Sequence, residues 1–322
     1  MVGVIMFETM SWFFRYIFTF IILSFLVISF LIYFKDKVFL QPFLLVLNVI
    51  LSLSSHGLLA SQDEIIRYDS IYVSLIFCSL YVFTRLCLWK ILKIKSFLIY
   101  DITSMLLSTG LIMLYRLDPK YAYRQIFFIF LSSITYFIVF YLMKKIKFKT
   151  GYWKYIGAVI LFTLIITQLY GIQVFGAKNW IEIYSLRFQP SEFLKILFVI
   201  YISLLLHEGM DNKIFLHSGI SVAIAALFFA MQKDLGSSFI FLAVYIIMLF
   251  LVDDKIYPTI VSTLSITAMA AVSYFTFSHI RSRVEAWLNP WRFISDKSYQ
   301  VTQSLFAIAS GGFIGTGLLL GN

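Results

Sequence analysis

The chain breaks into about ten apolar runs separated by short polar intervals, and this pattern restricts it to one kind of fold. A backbone in lipid has no water to bond, so each such run must satisfy its own N–H and C=O groups, which a helix does. A crossing needs about 20 mostly apolar residues. The runs fall at roughly 12–34, 38–60, 71–89, 97–115, 126–143, 155–171, 191–206, 214–231, 237–252 and 256–278. Hydrophobic residues make up 61% of the chain and charged residues 13%, against about 45–50% and about 25% in soluble domains. One aqueous core cannot bury that much apolar surface. The expected fold is an all-α polytopic membrane helix bundle of about ten transmembrane helices, with a large outer loop from Ile280 onward. Met1 to Glu8 has no basic n-region and the first run has no cleavage pattern, so no signal peptide is expected.

Lysines set the expected sidedness. Lys35 and Lys37 follow the first run, Lys90, Lys93 and Lys95 the third, and Lys144, Lys145, Lys147, Lys149 and Lys154 the fifth. The alternate loops carry Asp63, Glu64 and Asp69, or the mixed set Arg116, Asp118, Lys120 and Arg124. The positive-inside tendency then puts the ends of odd-numbered runs in the cytoplasm and both chain termini outside. The net charge of +10 reads as this topology signal plus attraction to anionic headgroups. Nucleic acid is not an expected partner, because the lysines are spread over separate short loops. Cys78 and Cys87 lie in an apolar run and read as packing residues.

This sidedness places three polar connections on the outer face: 171–190, 232–238 and the segment from 280 onward. The first leads into Pro190-Ser191-Glu192, where proline suits the first turn of a helix. Glu192 and Lys195, three apart, can meet on one face of that helix. Such a pair inside a span either fixes helix packing or lines a cavity. Asp234 precedes an apolar run and reads as an N-cap or as a headgroup or metal ligand. Asp101 reads as a cap or a helix-pairing residue. His56, His207, His217 and His279 have no metal-ligand spacing and read as structural or solvated. Arg187, Arg281, Arg283 and Arg292 either snorkel to headgroups or bind the charge of a lipid diphosphate.

The ordered motifs resemble the SEDS (shape, elongation, division and sporulation) family, which includes FtsW, RodA and SpoVE. The second-loop likeness is carried by Gly176-Ala177-Lys178-Asn179-Trp180, then Arg187-Phe188-Gln189-Pro190-Ser191-Glu192 and Lys195. Asp234-Leu235-Gly236-Ser237-Ser238 is similar to the next signature. Arg283-Val284, Asn289-Pro290-Trp291, Tyr299-Gln300, Gln303-Ser304 and Ala307-Ile308-Ala309-Ser310-Gly311-Gly312, with Gly315 and Gly317, resemble the large fourth outer loop. The resemblance covers about 97–322 and implies the first seven of ten core spans plus that loop, preceded by three extra spans in 1–96.

What the resemblance implies is peptidoglycan glycosyltransfer at the outer face of the bacterial plasma membrane, in cell shape or division. The implied substrate is lipid II, whose 4-hydroxyl attacks the anomeric carbon of a lipid-linked strand while the lipid diphosphate leaves. Such chemistry uses a general base and positive charge at the diphosphate, part of which a divalent cation (Mg or Mn) could supply. The implied cavity residues are Arg187, Gln189, Ser191, Glu192, Lys195, Asp234, Arg283 and Gln303. The implied protein partner is a class B penicillin-binding transpeptidase.

Two departures qualify the likeness. Anchored on Asn289 and on Tyr299-Gln300, the family's catalytic Asp falls on Phe293 and its following Pro on Ile294. A phenyl ring accepts no proton, which leaves Asp296 as the substitute and Glu285 as a weaker one. The family also continues through three further spans beyond the position of Asn322, so a truncated or degenerate member is expected. A lipid II flippase and a non-catalytic membrane scaffold for the transpeptidase are the competing readings. Polar motifs gathered on one side favour chemistry there over two-sided access.

Overall fold

The computed structural model of the chain describes residues 2–61, 67–147, 149–174, 176–184, 186–207, 209, 211–252 and 256–318. Asp63 and Glu64, used in the charge argument, lie outside the described residues. The chain forms two compact units, Met1–Lys145 with Gln300–Asn322, and Ile146–Tyr299.

The first unit contains α1 (Val2–Lys35), α2 (Gln41–Ala60), α3 (Tyr68–Lys90), α4 (Leu98–Leu117) and α5 (Pro119–Lys145). The second contains α6 (Trp153–Tyr170), α7 (Pro190–Leu206), α8 (Asn212–Met231), α9 (Leu235–Val252), α10 (Tyr257–Thr276) and α11 (Ser278–Leu288). A last helix, α12 (Tyr299–Gly311), follows, and all but its first residue belongs to the first unit. Local chemistry marks the helix ends. Pro42, Pro190 and Pro258 sit in first turns, where the missing N–H costs nothing. Asp211 caps α8 by accepting from the Ile214 N–H at 2.7 Å. Lys35, Lys90, Lys144 and Lys145 close the last turns of α1, α3 and α5, where cations face the negative end of the helix dipole.

Nine helices among the described residues are long and apolar enough to cross a membrane. They match nine of the ten expected runs. The remaining run is α7, which has 17 residues and measures about 26 Å at about 1.5 Å per residue. Pro190 sets its start and the turn at His207 its end.

Two connections depart from the expectation of irregular polar loops. Residues 171–190 contain a three-stranded antiparallel sheet of β1 (Ile172–Val174), β2 (Ala177–Ile183) and β3 (Leu186–Phe188), in that spatial order. Its register pairs Ile172 with Trp180, Ile181 with Phe188, and Glu182 with Arg187. The tight β1–β2 turn holds Gly176 at φ 86°, a conformation that glycine adopts without steric cost. The segment after 277 is also more ordered than a loop. It runs as α11, a 3₁₀ turn at Pro290–Phe293 and α12.

In the second unit, α6 to α9 pack around Phe198, Phe229 and Phe241. The Phe198 and Phe241 ring centroids lie 4.4 Å apart, and those of Phe229 and Phe241 4.8 Å apart. Hydroxyl pairs stitch the same helices: Tyr201 with Ser221 at 2.8 Å and Tyr245 with Ser218 at 3.0 Å. In the first unit, α2, α3 and α4 pack through Leu44, Leu51, Val73, Phe77 and Leu111. Asp101 joins α4 to α3 through Arg85 at 3.0 Å and Tyr81 at 2.8 Å, in keeping with the helix-pairing expectation. Phe241→Ala should open a void between α7, α8 and α9 and cost about 3 kcal/mol or more. Equilibrium unfolding in mixed micelles measures it, with the surface change Phe250→Ala as the near-neutral control.

Candidate functional site

The second unit gathers its polar motifs around one carboxylate. Asp234 lies between α8 and α9, directly before Leu235. Its Oδ1 accepts the Ser237 backbone N–H at 3.1 Å, as an N-cap does. Its Oδ2 accepts from the Ser237 hydroxyl at 2.8 Å, the Asn179 amide at 2.6 Å and the Gln189 amide at 3.3 Å. Asn179 belongs to β2, and Gln189 is the residue before α7. One side chain therefore ties together the sheet, the entry to α7 and the start of α9.

Further bonds hold the sheet to the helix ends below it. The Lys178 N–H donates to the Gln232 carbonyl at 2.8 Å, and the Lys178 ammonium donates to the Gln168 carbonyl at 2.7 Å. Gln232 is almost fully buried, and its amide reaches the Leu164 carbonyl at 3.4 Å. These contacts fix the frame on which the α7 residues stand. Lys195 donates to Glu192 at 2.7 Å in the expected i,i+3 pair, with Glu192 mostly exposed and Lys195 partly covered. Ser191 is buried in the same turn, and its hydroxyl has no hydrogen-bond partner. Arg187 bonds Glu182 across the β2–β3 pair at 3.0 Å, a link the sequence reading did not contain.

A second group of cations stands at the start of α11. His279 and Arg283 lie one turn apart, and Lys233 faces them from the α8–α9 connection. Burial lowers the His279 pKa below 6.5, and the charges of Lys233 and Arg283 lower it further. Its Nε2 is buried without a hydrogen-bond partner. A neutral imidazole between two cations is a place where an anion would be favoured. Sequence spacing gave no hint of this trio, because Lys233 and His279 are far apart in the chain.

The 3₁₀ turn places Phe293 half-buried, with Arg292 and Lys297 over its ring at 5.5 and 5.3 Å. The aromatic face thus meets the same kind of partner that a carboxylate would, without the ability to take a proton. Asp296 is exposed in the following turn, and its N–H donates to the Phe293 carbonyl at 3.1 Å. Glu285 lies on α11. Gln303 belongs to the other unit, where it is exposed on α12 and lines a groove of about 910 Å³ with Arg15, Thr19 and Arg116. Among the described residues, no three of His, Cys, Asp and Glu stand close enough to hold a metal ion. Asp234 Oδ2 accepts three donors and Oδ1 one, the N-cap bond.

Comparison with known proteins matches residues 86–322 to the family model for FtsW/RodA/SpoVE, described as cell cycle proteins. The chain is 28% identical to the peptidoglycan glycosyltransferase RodA of Mycobacterium leprae, over 80% of this chain and 61% of that protein. It is 33% identical to a probable peptidoglycan glycosyltransferase FtsW of Allochromatium vinosum, over 53% of this chain and 44% of that protein. The FtsW of Geobacter sp. strain M18 is 28% identical over 65% and 61%. The chain thus spans about three-fifths of the mycobacterial relative. No solved structure matches it.

Two outcomes test this geometry. Asp234→Ala removes a cap and orphans the Asn179 and Gln189 amides, so it should cost about 2 kcal/mol or more and speed hydrogen exchange at 235–238. His279 has a lowered folded pKa, so its share of stability is present above the unfolded pKa near 6.5 and is lost as pH falls through the folded value. Lys233→Gln and Arg283→Gln should each raise that pKa, read by NMR titration of the imidazole.

Proposed function

Since this chain belongs to the FtsW/RodA/SpoVE family of cell cycle proteins, we propose that its second unit presents a lipid II site of the peptidoglycan glycosyltransferase type. The observation that carries the reading is the Glu192–Lys195 pair, held at 2.7 Å across the first two turns of α7 by the Asp234-centred frame. It stands where the family's ordered motifs put polar groups. The lysine asymmetry orients this face outward, toward the periplasmic side where lipid-linked precursors are polymerised.

In this reading each residue has a task. Lys195, Arg187 and Arg283 offer positive charge to a diphosphate, which binds the ground state and steadies the leaving group. Glu192 holds Lys195 in place, and Gln189 and Asp234 set the angle at which α7 enters. Ser191, with its free buried hydroxyl, can donate to a sugar or phosphate oxygen. A Mg or Mn ion would need ligands from the diphosphate itself, and no step here relies on one. A class B penicillin-binding transpeptidase is the partner class this reading brings with it.

The missing element is the base. Phe293 takes the position of the family acid, and Asp296 is exposed in the next turn. We therefore read the chain as one that retains the lipid II frame and polymerises poorly, serving beside the transpeptidase more than as the polymerase. Incubating the purified full chain with lipid II tests this, with glycan strands as the readout. The unaltered chain should yield few strands, and Phe293→Asp should raise the yield at least about a hundredfold, the lower end of what a general base supplies. Abundant strands from the unaltered chain would refute the loss of the base, and their disappearance in Asp296→Ala would identify its replacement.

A further inference from the structure

The helices α2, α3 and α4 enclose a row of polar side chains that glycosyltransfer does not use, and we propose that this row is a proton path across the membrane. At one end Arg85 lies 3.0 Å from Asp101 Oδ1, and the Tyr81 hydroxyl donates to the same oxygen at 2.8 Å. Asn48 is fully buried beside Tyr81. A turn further on, Ser52 and Ser74 share a hydrogen bond of 2.8 Å, with the Cys78 thiol against both. Next, Ser70 donates to the His56 carbonyl at 3.0 Å and faces its Nδ1 at 3.1 Å. The His56 ring packs edge-on against Tyr115, whose side chain adjoins Asp69. Asp69 pairs with Arg67 at 3.6 Å, and both are partly open to solvent.

The length of the row decides what it can do. Asp69 and Arg85 are near opposite ends of α3, about 24 Å apart along the helix axis. That is most of a hydrocarbon core of about 30 Å. Helix–helix glue needs one or two such contacts at a crossing. Here they recur from end to end of one helix.

Glue would also be expected to satisfy itself, since buried polar atoms are nearly always paired. Along this row Asn48 Nδ2 and Oδ1, His56 Nε2, Asp101 Oδ2 and Ser108 Oγ have no protein partner, in side chains with 0% exposure. Each costs about 1–3 kcal/mol unless a water bonds it. A water at Asn48 would link Tyr81 to Ser52, and the proposal requires one more between Ser70 and Ser74, which stand one turn apart on α3. Leu44, Leu51, Val73, Phe77 and Leu111 are buried beside the row, which excludes a hydrated ion.

The proton count balances without any co-reactant. Ser70 donates to the His56 carbonyl, so its oxygen accepts the Nδ1 proton and leaves Nε2 as the acceptor. A proton entering from the Asp69 end binds Nε2, and the Nδ1 proton passes to Ser70 as its own hydroxyl proton moves on. Transfer through Ser74, Ser52 and Tyr81 brings one proton to Asp101 Oδ1, the oxygen that the Tyr81 hydroxyl bonds. Release is toward a cavity of about 490 Å³ lined by Tyr81, Ser96, Tyr100, Thr103 and Ser104, which borders the buried Asp101 through its neighbours Tyr100 and Ser104. One proton is taken up at one face and one released at the other, and a turn of the His56 ring brings its remaining proton back to the Ser70 side for the next cycle. The path uses no residue of the lipid II site and stands whether or not that reading does.

Reconstitution of the full chain into liposomes holding a pH-sensitive dye tests it, with a potassium gradient and valinomycin to set the voltage. Proton entry should exceed that of protein-free vesicles at least about tenfold, as an intramembrane relay requires. Asp101→Asn should abolish the excess. Because that change also disturbs Arg85, Asn48→Leu provides a second variant, replacing an unpaired amide by an apolar group of similar size. It should keep the thermal stability of the unaltered chain and lose the flux. Flux equal to that of protein-free vesicles, or equal flux in the unaltered chain and Asn48→Leu, would overturn the proposal.

Discussion

The second unit depends on the carboxylate of Asp234. Hydrogen bonds to an ionised acceptor are shorter and stronger than neutral ones, and the Asn179 contact at 2.6 Å is of that kind. Three segments that are distant in sequence reach this one group: β2 through Asn179, the entry to α7 through Gln189, and α9 through Ser237. The position of the Glu192–Lys195 pair follows from it, because α7 begins one residue after Gln189. A surface ion pair alone contributes little. Its value here is directional, and the frame beneath supplies the direction.

The first unit uses polar groups differently. Asp101, in the first turn of α4, and Arg85 of α3 lie deep among α2, α3 and α4. Burying a charge pair yields little stability after desolvation, while removing either partner is costly. Such an arrangement persists where the charges have work to do. The two units thus hold two polar systems of different character, one gathered at helix termini and one threaded along helix interiors.

The helices were largely legible in the sequence because lipid imposes one demand, a long apolar run, and nine runs met it. Pro190 announced the start of α7, and the three-residue spacing of Glu192 and Lys195 announced their contact. The sheet at 172–188 was not legible: its strands are three to seven residues long, too short for alternation to show. Asp234 was readable as a cap, but Asn179 and Gln189 precede it by 55 and 45 residues, beyond any local pattern. The polar row was hidden for a related reason. Helices α2 and α3 contribute one member every three or four residues and α4 one every seven, so no single helix stands out. Asp101 and His56 read as isolated structural residues until their neighbours were in place.

The account rests most heavily on the claim that the face built on Asp234 receives a lipid-linked diphosphate sugar. Site-specific photo-crosslinking measures this directly, with a photoreactive residue at position 187, 196 or 283 and radiolabelled lipid II in membranes bearing the full chain. The account predicts label at 187 and 283, competed by unlabelled lipid II but not by phosphatidylglycerol, and little at 196 on the outer wall of α7. Equal labelling at all three positions, or labelling that phosphatidylglycerol removes as well as lipid II does, would contradict it.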